Sequence, residues 1–292
     1  MKILRTIRNS KPAVVLASAW LVLLSIFSFG ARYIPFIREY DYSDLNGFNY
    51  GRKPSPTFPF GTDQLGRDIF ARCIYGAQIS LRIAMFSIVV GMIVGGSIGM
   101  VAGYFRKGYD RAVSTFTDVM LAFPPIVIAI LVTGRFDALR ANNNAFSWLT
   151  RTWSITFVLT LLSIAPLARI ARAQTLSISQ REFVLAARSL GAKNGRVLFR
   201  EVLPNLVPAL VSVAFTGIAI LLVAEGGLAF LGYSIELPTP TWGRLIAENR
   251  AYIREAWWGT LTPCLMLFLT VLSFNLIGDR MARRFDIREA TL

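Results

Sequence analysis

The segment between Ser179 and Asn205 holds the residues whose types and spacing most clearly indicate a chemical role. Small side chains let a second backbone approach a helix closely. An apolar stripe of this kind suits docking into a groove on a partner, rather than catalysis. Packing of the helix against its own protein is the alternative. Four residues recur every three to four positions and would share one face of a helix: Phe183, Ala186, Ala187 and Leu190.

Both ends of this predicted helix carry sequence signals. Ser179 and Glu182 fit a capping box, in which Ser179 caps the helix and Glu182 reaches back to it. Gly191 can take the left-handed conformation that ends a helix. Asn194 can cap a second short helix, and Leu203-Pro204 places a proline in the first turn of the helix that follows. The segment is therefore predicted to be a helix, a sharp turn and a second helix.

The residue types needed for catalysis are poorly represented. The chain has no histidine, so the commonest general base and metal ligand is missing. Cys73 and Cys264 are far apart and have no metal-binding spacing. No G-x-x-x-x-G-K-[ST] phosphate loop occurs. We expect a protein that is not an enzyme and has no catalytic, cofactor-binding or metal-binding residues of its own.

The composition indicates an integral membrane protein. Of 292 residues, 54% are hydrophobic and 16% are charged, whereas soluble domains carry about 25% charged residues. A helix needs about 20 apolar residues to cross the bilayer, and the apolar runs here are too continuous for barrel strands. The first run could instead be a cleaved signal peptide ending near Gly30-Ala31, but it is longer than such peptides usually are, and we expect it to be retained. Six spans are predicted, at 13–31, 83–105, 112–134, 152–168, 205–231 and 256–278.

The distribution of Lys and Arg orients these spans. With the N-terminus inside, the inside segments hold 18 basic and 6 acidic residues, and the longer outside segments hold 13 and 9. Basic residues concentrate on the cytoplasmic side of membrane proteins, so both termini are predicted to be cytoplasmic. The excess of basic residues behind the net charge of +14 is therefore concentrated on the predicted cytoplasmic side of the membrane. We expect no nucleic-acid partner.

Four segments of the chain together resemble one family of permeases. Glu182-Phe-Val-Leu-Ala-Ala187, Gly191 and Val202-Leu-Pro-Asn205 look like the EAA loop of binding-protein-dependent ABC importer permeases. The other segments are similar to the C-type permease of dipeptide, oligopeptide and nickel importers. They are Phe60–Asp68 with Tyr75–Ser80, Phe230–Gly232 with Pro238–Gly243, and Trp257-Trp258 with Pro263 and Leu272–Asp279. The resemblance covers residues 5 to 288.

The resemblance implies an all-α membrane protein with the type I ABC importer permease fold and a cytoplasmic EAA coupling helix. It implies a bacterial or archaeal cytoplasmic membrane, a second homologous permease, two ATP-binding subunits that carry ATP and Mg, and an extracytoplasmic substrate-binding protein. The solute would be a peptide or a similar small molecule. The chain divides into a first helix (1–31), an extracytoplasmic segment (32–82), a permease core (83–281) with a coupling loop (174–204), and a tail (282–292). The implied ATPase-coupling residues are Glu182, Phe183, Ala186, Ala187, Gly191, Leu203 and Pro204.

Some positions depart from the family pattern. Glu201 stands where a basic residue or histidine is common, and Arg280 stands where a small residue is common. The outside loop 134–152, with Asn142-Asn143-Asn144, is longer and more polar than expected. Because such a loop faces the binding protein or the pathway entrance, this departure bears on the solute and not on the family.

Several other features have both a structural and a functional interpretation. Gly91, Gly95, Gly99 and Gly103 form a stripe for close helix packing, within the subunit or against a partner permease. Asp118 and Glu225 lie in apolar runs. Each is expected to form a local salt bridge or interface anchor, and each is also a candidate gate or subunit-interface residue, with Glu225 at an outer gate. Pro124-Pro125 is expected to kink the third span.

Two other functions fit parts of the sequence. A stand-alone secondary transporter or channel would be driven by an ion gradient, but few ionisable groups lie in mid-membrane and no proton relay is visible. A peripheral protein that binds nucleic acid or anionic lipid through its basic charge would be released from membranes by high salt, and we expect no such release.

Overall fold

The computed structural model describes residues 11–34, 37, 50–142, 150–233 and 235–290. Over these residues it is helical, with one isolated bridge between Thr62 and Asp68 and no longer strand. The all-α prediction is confirmed. The helices are α1 (Lys11–Gly30), α2 (Ile69–Phe105), α3 (Lys107–Ala122), α4 (Pro125–Asn142), α5 (Arg151–Ile178), α6 (Glu182–Ser189), α7 (Asn194–Val197), α8 (Leu203–Phe230), α9 (Trp242–Asn249) and α10 (Trp257–Ala290).

Within the described residues, five helices are long and apolar enough to cross a membrane. The helices α3 and α4 supply a sixth only if this bent pair counts as one broken span. The helices extend well beyond the predicted spans: α2 begins at Ile69 rather than at residue 83 and contains 37 residues. At 1.5 Å per residue it is about 55 Å long, against roughly 30 Å of hydrocarbon, so much of it projects beyond the bilayer.

The third predicted span breaks at its two prolines. The axes of the helices on either side differ by 88°, which is a break rather than the predicted kink. Phe123 has the extended conformation (φ −84°, ψ 140°) that a following proline favours, and Pro125 starts α4. The helix then continues to Asn142, so the interpretation of residues 134–142 as part of a loop is wrong. Asn143 and Asn144 lie outside the described residues.

The glycine stripe packs inside the subunit, against α5. A Cβ on Gly95 would lie 2.6 Å from the carbonyl oxygen of Ile164, and one on Gly103 would lie 2.7 Å from the carbonyl oxygen of Arg172. Cβ atoms at Gly91 and Gly99 would likewise collide with α5. Because α2 and α5 meet backbone to backbone, the interpretation as packing within the subunit is confirmed.

The first helix packs on the last. The indole Nε1 of Trp20 donates a hydrogen bond to Oγ1 of Thr270 at 3.1 Å. Leu24 is buried in the main hydrophobic core, together with residues of α2, α5, α8 and α10. This helix is therefore a packed element of the subunit.

Candidate functional site

The segment from α6 to the start of α8 forms a surface on one end of the helix bundle, which we call the coupling surface (residues 182–204). Val184 anchors α6 to the bundle because its side chain is completely buried. It packs in a second hydrophobic core that is separate from the main one. The other buried members of this core include Ala171 and Ile178 of α5, Val197, Val202 and Leu206.

The side chains on either side of Val184 point away from that core. Phe183 and Ala186 are exposed, and Leu190 is 89% exposed. Ala187 is half-buried against the second core. One residue of the predicted stripe therefore packs on the subunit, and the other three are exposed on its surface. Leu185 and Phe199 add exposed apolar area that the stripe did not predict. The coupling surface thus exposes apolar side chains on a helix that Val184 anchors to the second core.

The turn after α6 needs glycine for its conformation. Gly191 has a φ of +81°, and a Cβ at this position would meet nothing within 4 Å. Its N–H donates to the carbonyl of Arg188 at 2.9 Å, and the N–H of Ala192 donates to that of Ala187 at 3.1 Å. The predicted left-handed helix end is confirmed, and the reason is the backbone conformation rather than crowding.

Both predicted side-chain caps are wrong. Helix α5 continues to Ile178, so the hydroxyl of Ser179 donates to the carbonyl of Thr175 at 2.6 Å instead of capping α6. Arg181 is the N-cap residue of α6 and forms no side-chain capping bond. Asn194 is the first residue of α7 rather than its cap, and its Oδ1 accepts a hydrogen bond from Tyr104 at 3.1 Å. Glu182 is exposed.

The second half of the coupling surface joins α8 without an interruption. A π-helical turn over Leu198–Val202 leads directly into α8 at Leu203, and a proline lies in the first turn as predicted. The backbone carbonyl of Glu201 accepts a hydrogen bond from the side-chain amide of Asn205 at 2.6 Å. Asn194–Phe230 is therefore one continuous helical segment.

Most of the other motifs that carried the resemblance meet at the opposite end of the bundle; Leu272–Asp279 instead lies along α10, where Gly278 faces Phe215 and Thr216 of α8. The indole of Trp258 donates to the carbonyl of Thr62 at 3.1 Å. The indole of Trp242, fully buried, donates to the carbonyl of Cys73 at 3.1 Å. A Cβ on Gly61, whose φ is +74°, would lie 2.6 Å from the Trp258 indole nitrogen. These motifs are thus parts of one packed unit.

A buried ionic cluster holds this unit together. The guanidinium of Arg72 is completely buried and donates to Asp63 at 2.6 Å and to Glu248 at 2.9 Å. Arg67 bridges the same two carboxylates at 2.7 and 2.9 Å. Burial opposes ionisation of Glu248, but the charge of Arg72, with Arg244 and Arg67, outweighs it and lowers the pKa of Glu248. Sequence reasoning missed the cluster because Arg72 and Glu248 are 176 positions apart.

Asp68 caps the first turn of α2 from inside the same unit. Its two carboxylate oxygens accept hydrogen bonds from the N–H groups of Phe70 and Ala71 at 3.1 and 3.2 Å. Burial raises its pKa to about 6, although these two hydrogen bonds act in the opposite direction. The described residues contain no group of three or more His, Cys, Asp or Glu that could hold a metal ion.

The two acidic residues of the apolar runs have different environments. Asp118 is exposed and lies 4.0 Å from Arg169, so the two residues form a local salt bridge. Glu225 is 2% exposed, and its Oε1 accepts a hydrogen bond from Thr241 at 2.8 Å. Among the described residues it forms no ion pair. The carboxylate connects α8 to the N-cap of α9 inside the subunit.

Comparisons with known proteins agree with this architecture. The family of binding-protein-dependent transport system inner membrane components matches residues 95–290. The chain is 32% identical over 271 residues to the dipeptide transport system permease protein DppC of Alkalihalophilus pseudofirmus, covering 93% of this chain and 85% of that protein. It is 35% identical over 273 residues to the glutathione transport system permease protein GsiD of Pectobacterium atrosepticum, covering 93% and 86%.

The fold is also similar to that of a solved transporter. An inward-facing structure of the MetNI methionine ABC transporter aligns with a TM-score of 0.61 over 74% of this chain and 97% of the matched chain, at 19% identity. This likeness supports the fold alone, whereas the sequence matches extend over nearly the whole chain. The chain therefore belongs to the family of binding-protein-dependent transport system inner membrane components and is a multi-pass permease subunit of an ABC importer.

Proposed function

We propose that this chain forms half of a translocation pathway for peptides or a similar small solute, with a second homologous permease forming the other half. The relatives named above transport a dipeptide and glutathione, and both solutes are short peptides. In this proposal two ATP-binding subunits, which hold ATP and Mg, dock on the coupling surface. A substrate-binding protein delivers the solute to the opposite end, and both termini of the chain are cytoplasmic.

The exposed apolar face of α6 is the observation that carries this proposal. Phe183 and Leu190 are 37% and 89% exposed although both are large and apolar, while Val184 between them is fully buried. A short helix held from one side and apolar on the other suits insertion into a groove of a partner protein. Covering apolar side chains of this size stabilises a complex by about 1.5–3 kcal/mol for each one fully buried.

The surrounding charges add specificity to this docking. Lys193, Arg196 and Arg200 are exposed along the coupling surface. Basic residues around an apolar centre favour a groove with an acidic rim, because complementary charges speed association and exclude wrong partners. The proposed coupling residues are Glu182, Phe183, Ala186, Ala187, Gly191, Leu203 and Pro204.

The proposed mechanism is a rigid lever. When ATP closes the ATP-binding subunits, the groove that holds α6 moves. The turn at Gly191 has a fixed left-handed conformation, and the segment from Asn194 to Phe230 is helical without a break. Movement of α6 would therefore tilt α8 and change the membrane pathway between the two permeases.

Substitutions on the exposed face of α6 test this proposal. Ala186→Asp and Leu190→Asp should each reduce uptake of a labelled dipeptide at least about tenfold in cells that lack other peptide importers, because a buried unpaired charge costs several kcal/mol. The same variants should retain fewer ATP-binding subunits on purification. Arg284→Gln, an exposed change outside the coupling surface, is the control.

Two results would contradict the proposal. Normal uptake by both aspartate variants would remove α6 from the coupling role. Uptake by the chain in the absence of ATP-binding subunits, driven by an ion gradient, would instead support a stand-alone secondary transporter.

A further inference from the structure

A polar pocket lies where the end of α2 meets the turn between α5 and α6. Its volume is about 330 Å³. Two of its lining residues carry guanidinium groups and none carries a carboxylate, so the pocket has the chemistry of an anion site. The lining residues are Tyr104, Arg106, Ser179, Gln180, Leu185 and Arg188.

An aromatic ring holds the side chain of Arg188 in place. The guanidinium of Arg188 lies over the ring of Tyr104, 4.7 Å from its centroid. The hydroxyl of Tyr104 donates to Asn194 at 3.1 Å, which fixes the ring beneath the arginine. The nearest acidic residue on α3, Asp110, is already held by both Nε and Nη2 of Arg172. Arg106 still interacts electrostatically with Asp110, whereas the guanidinium of Arg188 contacts an aromatic ring and leaves its N–H donors to a ligand.

The backbone at Arg106 is unusual. Its φ of 55° with a ψ of −153°, followed by a φ of 51° at Lys107, places two consecutive non-glycine residues in the left-handed region. Residues with side chains avoid these conformations, and strained positions of this kind cluster at functional sites. The N–H of Arg106 donates to the carbonyl of Ala102 at 3.0 Å, so the strained turn is fixed against the end of α2.

The surroundings of the pocket match a membrane interface. Phe105 and Tyr109 are 41% and 63% exposed. Their rings continue from Tyr104, with centroids 5.1 Å and then 5.9 Å apart. Exposed aromatic rings at the end of a spanning helix are typical of the boundary between acyl chains and headgroups. Arg106 and Lys107 follow directly and Arg111 lies one turn further along α3, and basic residues at the cytoplasmic interface attract anionic lipids.

We infer that this pocket binds the phosphate of an anionic phospholipid, with Arg106 and Arg188 at the headgroup and Phe105 and Tyr109 at the acyl boundary. The inference rests on the proposed function, which places this end of the bundle in the cytoplasm. Because Arg188 belongs to α6 and Arg106 to the α2–α3 turn, the bound lipid would connect the coupling helix to the bilayer. The exposed aromatic rings favour a lipid over inorganic phosphate or an acidic side chain of an ATP-binding subunit.

The test measures lipid retained by the purified transporter complex. Wild-type complex from nanodiscs of phosphatidylcholine and phosphatidylglycerol should retain phosphatidylglycerol in native mass spectrometry. The double variant Arg106→Gln with Arg188→Gln should bind it about tenfold more weakly or worse, since each basic residue contributes to attraction. Arg284→Gln removes one exposed cytoplasmic charge away from the pocket and should retain the lipid as the wild type does.

A second variant keeps the inference testable if the double variant does not assemble. Tyr109→Ser removes an exposed ring and leaves both guanidiniums, so it should weaken retention of phosphatidylglycerol about threefold or more. Inorganic phosphate in excess should not displace the lipid from the wild type.

The outcomes separate the candidate ligands. Equal retention by the double variant and the wild type would overturn the inference. Displacement of the lipid by inorganic phosphate would assign the pocket to a soluble anion. Normal lipid retention by the double variant, together with loss of ATP-binding subunits, would assign it to an acidic side chain of those subunits. Lipid retention is independent of uptake, so a wild-type complex that retains phosphatidylglycerol but transports no peptide would refute the proposed function alone.

Discussion

The carbonyl oxygen of Ile164 lies 2.6 Å from the point where a Cβ on Gly95 would be, and the backbone nitrogen of Ala168 lies 3.1 Å from it. Real Cβ atoms do not approach other atoms within 3.0 Å. The contact is made with backbone, so no rotamer change can relieve it. The spacing of α2 and α5 along their whole interface therefore depends on the absence of side chains on the glycine stripe.

Gly95→Ala should destabilise the subunit through this contact. The added methyl group has to push α5 away from α2, and overpacking of this kind costs about 1–3 kcal/mol. The free energy of unfolding in detergent measures the loss. Gly134→Ala is the matched control, because nothing lies within 4 Å of its Cβ and alanine favours a helix interior by up to about 1 kcal/mol. Equal stability of the two variants would show that the helices separate freely.

Asp63→Asn should destabilise the packed unit around Arg72 without leaving a cavity. The amide keeps the size of the side chain but removes the charge that faces Arg67 and Arg72, and arginine cannot lose its proton to compensate. Removing one partner from a buried ion pair costs about 3–5 kcal/mol.

The control for this change is Glu236→Gln, which alters an exposed ion pair with Arg140. Exposed pairs contribute about 1 kcal/mol or less, so the two carboxylate-to-amide changes should differ clearly in thermal unfolding. If they cost the same, the ionic cluster is not what stabilises the unit.

The sequence could predict the features of this site that depend on single residues or near neighbours, and it could not predict contacts between residues far apart in the chain. The left-handed Gly191 and the proline at the start of α8 follow from the conformational limits of single residues, and the structure contains both. The same limits predicted an interruption at Pro124-Pro125 but only as a kink, and the structure has a break of 88° there. The cluster around Arg72 could not be found, because nothing local distinguishes a buried arginine from an exposed one.

The predicted cap at Ser179 was wrong because α5 is longer than the sequence indicated. The fourth span is predicted to end at residue 168, which places Ser179 in a loop, where α6 would need a cap of its own. In the structure α5 continues to Ile178, because Ala171 and Ile178 are buried in the second core and Thr175 is buried beside Gly103 of α2. Arg169 and Ser177 are exposed. Ser179 is thus a C-terminal residue of α5, and the spacing from Ser179 to Glu182 matched a capping box by coincidence.

Asp68→Asn should change how stability depends on pH. Burial raises the pKa of Asp68 to about 6, above the ordinary 3.8 of an aspartate. The folded state therefore holds the proton more tightly than the unfolded state. The resulting stabilisation is complete below about pH 4 and is lost as the pH rises through 6.

Asparagine cannot titrate but still caps a helix well, so the stability of the variant should lack this dependence on pH. The difference in free energy of unfolding between wild type and variant should change by on the order of 2 kcal/mol from pH 4 to pH 7, in favour of the variant at high pH. Unfolding of both proteins over this range is the measurement. A difference that does not vary with pH would mean that Asp68 keeps an ordinary pKa in the folded protein.

Val184→Ala and Leu190→Ala should separate anchoring from docking on α6. Val184 is fully buried in the second core, so its truncation should cost about 1–2 kcal/mol of stability. Leu190 is 89% exposed, so its truncation should change stability by less than about 0.5 kcal/mol. Leu190→Ala should lose more of the ATP-binding subunits than Val184→Ala, because of these two side chains only that of Leu190 is exposed to a partner. Unfolding of the isolated subunit and co-purification of the ATP-binding subunits give the two readouts. If Leu190→Ala lowered stability as much as Val184→Ala, α6 would be packed on its own protein through both residues, and the exposed face would not be a docking surface.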